Sequence, residues 1–176
     1  MGISLPLVLI CLFLYVIVVR MTQFDIDYEW GKESEINTKP YLEKLFKKQL
    51  TQCENVFSNF DYYGDNIYVE LKTRNIEHRD GKFYYTNRKG YESIIDTLYF
   101  DEPKLNFAKK NKTKDNEFYI VWKCINCLAV YKINLEDPDE VEYYIKPDFN
   151  DYGHGYKQHR NIVNVFTDKV NIINKC

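Results

Sequence analysis

Apolar and polar positions divide the chain into a solid apolar leader and a longer patterned region. Residues 3–19 carry no charge, and only Ser4 and Pro6 interrupt the apolar run. A helix over this run spans about 26 Å, slightly short of a ~30 Å hydrocarbon core. Between 28 and 50, Ile36, Tyr41, Leu42, Leu45, Phe46 and Leu50 recur with helical spacing. That predicts a helix, which Pro40 should kink or divide near Thr38. Residues 57–74 predict a hairpin. Its second arm, Tyr68-Val69-Glu70-Leu71-Lys72, is rich in aromatic and β-branched residues, and Gly64-Asp65-Asn66 supplies the turn. His78-Arg79-Asp80-Gly81 reads as a turn before a short strand at 82–86. Tyr91, Ile94, Ile95, Leu98 and Tyr99 then predict a helix over 87–100, with a polar connection at 101–116. Residues 117–123 and 128–133 predict a second hairpin. An edge strand at 141–145, a loop at 148–159 and a terminal strand and turn at 161–173 complete the chain. This order gives an α/β (α+β) fold with a central mixed sheet flanked by helices, preceded by an N-terminal apolar helix.

Strand side chains alternate faces, so Glu70 and Lys72 point the same way. With an even number of loop residues, Asp61 faces the side that carries Glu70. The two are then diagonal neighbours, with backbones roughly 7–8 Å apart. Carboxylates that close can share one divalent cation, and the adjacent lysine can hold a water or stabilise negative charge.

Asp61 followed by Glu70-Leu71-Lys72, behind a helix carrying Gly31-Lys32-Glu33-Ser34-Glu35, resembles the PD-(D/E)xK nuclease superfamily. Phe60 stands where that motif often has proline. The resemblance covers residues 28–133 and implies a restriction-endonuclease-like fold and Mg²⁺- or Mn²⁺-dependent hydrolysis of DNA. It implies that Asp61, Glu70 and the Leu71 carbonyl bind the metal. Lys72 then orients or helps deprotonate the attacking water and stabilises the developing charge. Glu35, preferred to Glu33 because it stands four residues after Gly31, holds a metal-bound water or a second cation. Arg74 can reach a phosphate, and Lys89, on the predicted second helix, presents charge towards DNA. Homodimers are common among such nucleases.

Composition adjusts this picture. Aromatics make up 16% of the 176 residues, which excludes disorder as the main state. Heavy use of Asn, Lys, Ile and Tyr fits an AT-rich, for example viral, coding sequence. A net charge of −2 gives no global basic field, so DNA contact rests on local patches such as Lys109-Lys110-Asn111-Lys112-Thr113-Lys114. The five cysteines are scattered and make no disulfide framework. Cys124-Ile125-Asn126-Cys127 is a lone CxxC without the further ligands of a zinc site, and reads as a hairpin tip. Asp151, His154 and His159 form a loose set better suited to a structural or surface role.

Residues 1–20 are a transmembrane anchor or an extension upstream of Met21, and 21–176 form the nuclease-like domain. With the anchor, Arg20 favours a cytoplasmic C-terminal domain. Without it, the product is a soluble intracellular protein. Two competing readings stand beside the nuclease: a membrane-anchored, non-enzymatic interaction protein, and an inactive nuclease fold that binds DNA.

Overall fold

The computed structural model describes residues 23–53, 58–87, 89–135, 143–151 and 157–174. The apolar run at 3–19, and with it the predicted N-terminal apolar helix, lies outside them. Among the described residues, no helix is long and apolar enough to cross a membrane. The chain divides into two compact units, Met1–Thr38 and Lys39–Cys176.

Helix α1 runs from Gln23–Phe46, starting earlier and stopping sooner than the predicted 28–50. Pro40 does not break it, although the missing N–H removes one rung of the helix ladder. In the preceding turn, the Thr38 hydroxyl donates to the Ser34 carbonyl at 2.6 Å. The division expected near Thr38 does not occur: one helix runs through it. Lys47, at φ 53°, then turns the chain out of the helix.

The second unit is built on a six-stranded sheet of order β1-β2-β3-β8-β9-β12. Its strands are β1 (Thr51–Gln52), β2 (Tyr62–Gly64), β3 (Ile67–Thr73), β8 (Glu117–Lys123), β9 (Cys127–Lys132) and β12 (Asn171–Asn174). All neighbours are antiparallel except β3 and β8, which run parallel with Glu70 beside Ile120 and Lys72 beside Trp122. A parallel pair needs a long crossover. Here it contains β4 (Ile76–Arg79), β5 (Lys82–Thr86), β6 (Glu92–Ile95), β7 (Thr97–Asp101) and helix α2 (Glu102–Lys110).

Both predicted hairpins are present. β2 and β3 are joined by Asp65-Asn66, an even loop, with Asn66 at φ 56°. The β8–β9 turn is closed by the Cys124 N–H donating to the Cys127 carbonyl at 3.0 Å. Both cysteines are buried in the core.

Alternation along the central strands builds two cores. Ile67, Val69 and Leu71 of β3 join Val121, Leu128 and Val130 and, from the end of α1, Leu42, with Leu45 and Phe46 packed alongside. The opposite face carries Phe118, Ile120, Trp122, Ala129 and Tyr131, covered by Leu105 and Ala108 of α2 and by Leu98 and Phe100 of β7. The central strands are therefore buried on both faces, which explains the nearly continuous apolar runs in β8 and β9.

Two predicted segments are corrected. The predicted helix at 87–100 is a loop followed by β6 and β7. Its apolar residues do not share one helical face: Leu98 and Phe100 are buried two apart, while Tyr91, Ile94 and Tyr99 are exposed. The predicted polar connection at 101–116 contains α2. Pro103 lies in its first turn, and Leu105 and Ala108 bury one side at i, i+3 spacing.

Two smaller sheets complete the fold, in the orders β4-β5-β6 and β10-β11-β7. Asp80 and Gly81, both with positive φ, join β4 to β5 in the conformation that a type I′ turn requires. β10 (Tyr143–Asp151) and β11 (Lys157–Phe166) are long hairpin arms, so most of the loop predicted at 148–159 is strand. His154 lies outside the described residues.

Candidate active site

Glu70 and Lys72 point from β3 into the larger core. Glu70 is only 5% exposed. A carboxylate that deeply buried must be paired or lose its charge. Its Oε1 lies 3.4 Å from Lys72 Nζ and its Oε2 lies 2.8 Å from Lys104 Nζ. Lys72 Nζ also donates to Asp101 Oδ2 at 2.8 Å. The result is an alternating row, Lys104, Glu70, Lys72, Asp101, in which two positive charges meet two negative ones. Glu70 Oε2 is buried and accepts no hydrogen bond. The Lys104 contact is therefore a close ionic approach without hydrogen-bond alignment.

The outer half of this row comes from the junction of β7 and α2. Trp122 Nε1 donates to the Tyr99 carbonyl at 3.1 Å and fixes the end of β7 against β8. Asp101 occupies the N-cap position of α2 yet makes no side-chain capping hydrogen bond there. A capping aspartate is worth about 1 kcal/mol to a helix, and this one is turned towards Lys72 instead. Lys104 stands in the first turn, where the helix dipole disfavours a cation. It is held by Glu70 and by the Ser58 carbonyl at 3.4 Å, and lies 5.9 Å from the centroid of the Phe60 ring. Lys104 is thus placed for the cluster and against the helix dipole, while Asp101 keeps its favoured N-cap position but turns its carboxylate to Lys72.

Asp61 directly precedes β2. Tyr62 pairs with Val69, so one further step sets Asp61 opposite Glu70, directly across and not diagonal to it. Asp61 Oδ2 accepts the Leu71 N–H at 2.7 Å, and its main-chain carbonyl accepts the Cys53 N–H at 2.8 Å. The aspartate thus continues the β3 hydrogen bonding where β2 stops. The N–H and C=O of one strand residue leave on the same side, so the Leu71 carbonyl lies on the edge that Asp61 covers.

The lysine between the carboxylates stays charged. Burial pulls the Lys72 pKa down, but the charges of Glu70 and Asp101 and the hydrogen bond to Asp101 outweigh it and hold the pKa above its ordinary value. Arg74 follows β3 directly. Its Nη1 donates to the Thr73 carbonyl at 3.1 Å, and its guanidinium lies 4.9 Å from the centroid of the half-exposed Tyr99 ring.

Lys89 and Glu35 have local partners of their own. Lys89 is exposed in the turn between β5 and β6, not on a helix, and its N–H donates to Asn87 Oδ1. Glu35 belongs to the first unit, on α1, where it pairs with Lys32 at 3.7 Å. Sequence reasoning passed over Asp101 and Lys104. Their signal was a helix start, Asp101-Glu102-Pro103, followed by Leu105 and Ala108 at helical spacing.

Among the described residues no cluster of three or more His, Cys, Asp or Glu side chains forms a metal cage. The donors at the β2–β3 edge are two carboxylates and a main-chain carbonyl. An all-oxygen set of that size suits Mg²⁺, which keeps several of its waters. The buried Glu70 Oε2 accepts no hydrogen bond and is met only by the ionic approach of Lys104.

No protein-family model, no curated protein and no solved structure matches the chain.

Proposed function

We propose that this chain is a metal-dependent nuclease that hydrolyses DNA phosphodiester bonds, with a PD-(D/E)xK-type centre on a restriction-endonuclease-like core. One observation carries the reading. Glu70 and Lys72 stand on β3 and Asp61 directly before β2, its antiparallel neighbour, and β3 runs parallel to β8 through a crossover that ends in a helix. Every residue of the proposed centre belongs to the second unit.

Asp61, Glu70 and the Leu71 carbonyl would hold Mg²⁺ or Mn²⁺, which when bound supplies Lewis-acid stabilisation of phosphate charge and a more acidic water. The Leu71 N–H fixes one oxygen of the Asp61 carboxylate, so that group is oriented before any ligand arrives. Lys72 acts as a fixed ammonium donor to the attacking water or a phosphoryl oxygen, with its position set by Glu70 and Asp101. Held between two carboxylates, it does not take up the proton of the water. Arg74, spread over Tyr99, offers a planar cation to a flanking phosphate.

A competing reading has one observation in its favour. The row of charges is balanced within itself, as in a structural ion-pair network of a non-enzymatic domain. Incubation of the full chain with labelled plasmid and branched DNA in Mg²⁺, Mn²⁺ or chelator separates the two. We expect cutting in Mg²⁺ or Mn²⁺, none in chelator, and none from Glu70→Gln or Lys72→Ala, with DNA still bound by Lys72→Ala. Cutting in chelator, or unchanged turnover by the folded Lys72→Ala protein, sinks the nuclease reading.

A further inference from the structure

Two ammonium groups compete for the buried Glu70 carboxylate, and they are held differently. Lys72 is tied to Asp101 by a hydrogen bond as well as to Glu70. Lys104 reaches Glu70 Oε2 at 2.8 Å without hydrogen-bond alignment, from a helical turn that disfavours a cation. We infer that Lys104 is a tethered cation that neutralises Glu70 in the metal-free protein and is displaced when a divalent ion binds. This inference rests on the metal centre proposed above.

The charges favour the exchange. A divalent ion attracts a carboxylate about twice as strongly as an ammonium at the same distance. The contact it replaces is Coulombic and not directional. With Lys72 still beside Glu70, a second ammonium and a metal at one carboxylate repel each other; Lys104 comes closer to Glu70 than Lys72 does, but only Lys72 is anchored by a second carboxylate, Asp101. Lys104 also has an alternative position. The Ser58 carbonyl already lies 3.4 Å from its Nζ, and the Phe60 ring stands close enough to receive the cation on its face. The released ammonium is therefore not stranded. In the metal-free state Lys104 serves the fold, because without it Glu70 and Asp101 would share the single positive charge of Lys72. Metal affinity is lowered in return.

The test is Mn²⁺ binding by the full chain, followed by the paramagnetic resonance signal of the free ion. Wild type, Lys104→Met and Glu70→Gln are compared, with circular dichroism as the check on folding. We expect Lys104→Met to bind Mn²⁺ at least about tenfold more tightly than wild type, from removal of a unit charge a few ångströms away. Glu70→Gln should lose binding. A second measurement needs no variant: amine acylation of the wild-type chain, read residue by residue by mass spectrometry. Mn²⁺ should raise the labelling of Lys104 and leave Lys132, paired with Glu117 outside this row of charges, unchanged. If wild type binds Mn²⁺, and Lys104→Met binds no more tightly or Lys104 labelling does not rise, the displacement inference is overturned and the metal centre stands. If neither wild type nor Lys104→Met binds Mn²⁺, both readings fall together.

Discussion

Lys72 Nζ and Asp101 Oδ2 lie 2.8 Å apart although 29 residues separate them in the chain. The bond joins the strand that carries the acid-x-lysine motif to the start of the helix that covers it. It also decides where the ammonium points, because Glu70 alone at 3.4 Å leaves Lys72 free to swing. Asp101→Asn keeps the shape and removes the charge. We expect turnover to fall about tenfold to hundredfold, the scale on which a misplaced catalytic group acts. DNA affinity should stay near that of wild type, and Asp101→Glu should recover part of the loss. Equal loss of turnover and affinity, measured by single-turnover cleavage and DNA titration, would contradict a positioning role.

Glu117 provides a pH-dependent contribution outside this cluster. The hydrogen bond from Lys132 at 2.6 Å holds its carboxyl below the ordinary carboxylate range, aided by the charges of Lys132 and Lys48 and by the Tyr119 hydroxyl, against the effect of burial. A carboxylate whose folded pKa is depressed contributes stability above its unfolded pKa of about 4.3, and loses it as pH falls through the folded value. Lys132→Gln removes the main cause. Urea denaturation of both proteins from neutral pH downwards should show a stability gap that closes in acid. A gap of constant size at every pH would contradict the linkage.

Gly64 closes β2 under the passing main chain. A Cβ placed there stands 2.5 Å from the Gln49 carbonyl oxygen, a backbone atom that cannot rotate away. Gly64→Ala should therefore destabilise the domain by about 1–3 kcal/mol, the range for overpacked sites. Chemical denaturation checks it, and unchanged stability would mean that the loop before β1 yields freely.

Asn126, in the tip of the β8–β9 hairpin, imitates a strand partner. Its Oδ1 accepts the His78 N–H at 3.0 Å and its Nδ2 donates to the His78 carbonyl at 2.7 Å, while the Ile125 N–H donates to the Ile76 carbonyl at 2.9 Å. The hairpin tip is thus docked on β4. Asn126→Ala should cost about 1–2 kcal/mol, two modest net hydrogen bonds, and leave cleavage intact. Amide exchange at His78 gives a local readout, with faster exchange expected in the variant.

The sequence by itself determined what depends on neighbours along the chain. Period-two alternation placed Glu70 and Lys72 on one face of a strand, and the turn chemistry of Gly64-Asp65-Asn66 brought Asp61 back beside them. The helical spacing of Leu42, Leu45 and Phe46 marked the last turns of α1, though not its stop four residues before Leu50, and the aromatic and β-branched runs marked β8 and β9. Residues 91–99 were misread because helical spacing and a strand with irregular burial use the same residues. Only packing showed that Leu98 and Phe100 face inwards while Tyr99 does not. The tertiary structure alone decided the partners of the acid-x-lysine pair. The parallel alignment of β3 with β8 requires a crossover, and that crossover delivers Asp101 and Lys104 to charges buried on a strand more than two dozen residues earlier. A buried charge takes its partner from whichever element covers it. No local pattern names that element, because desolvation and pairing are properties of the packed core.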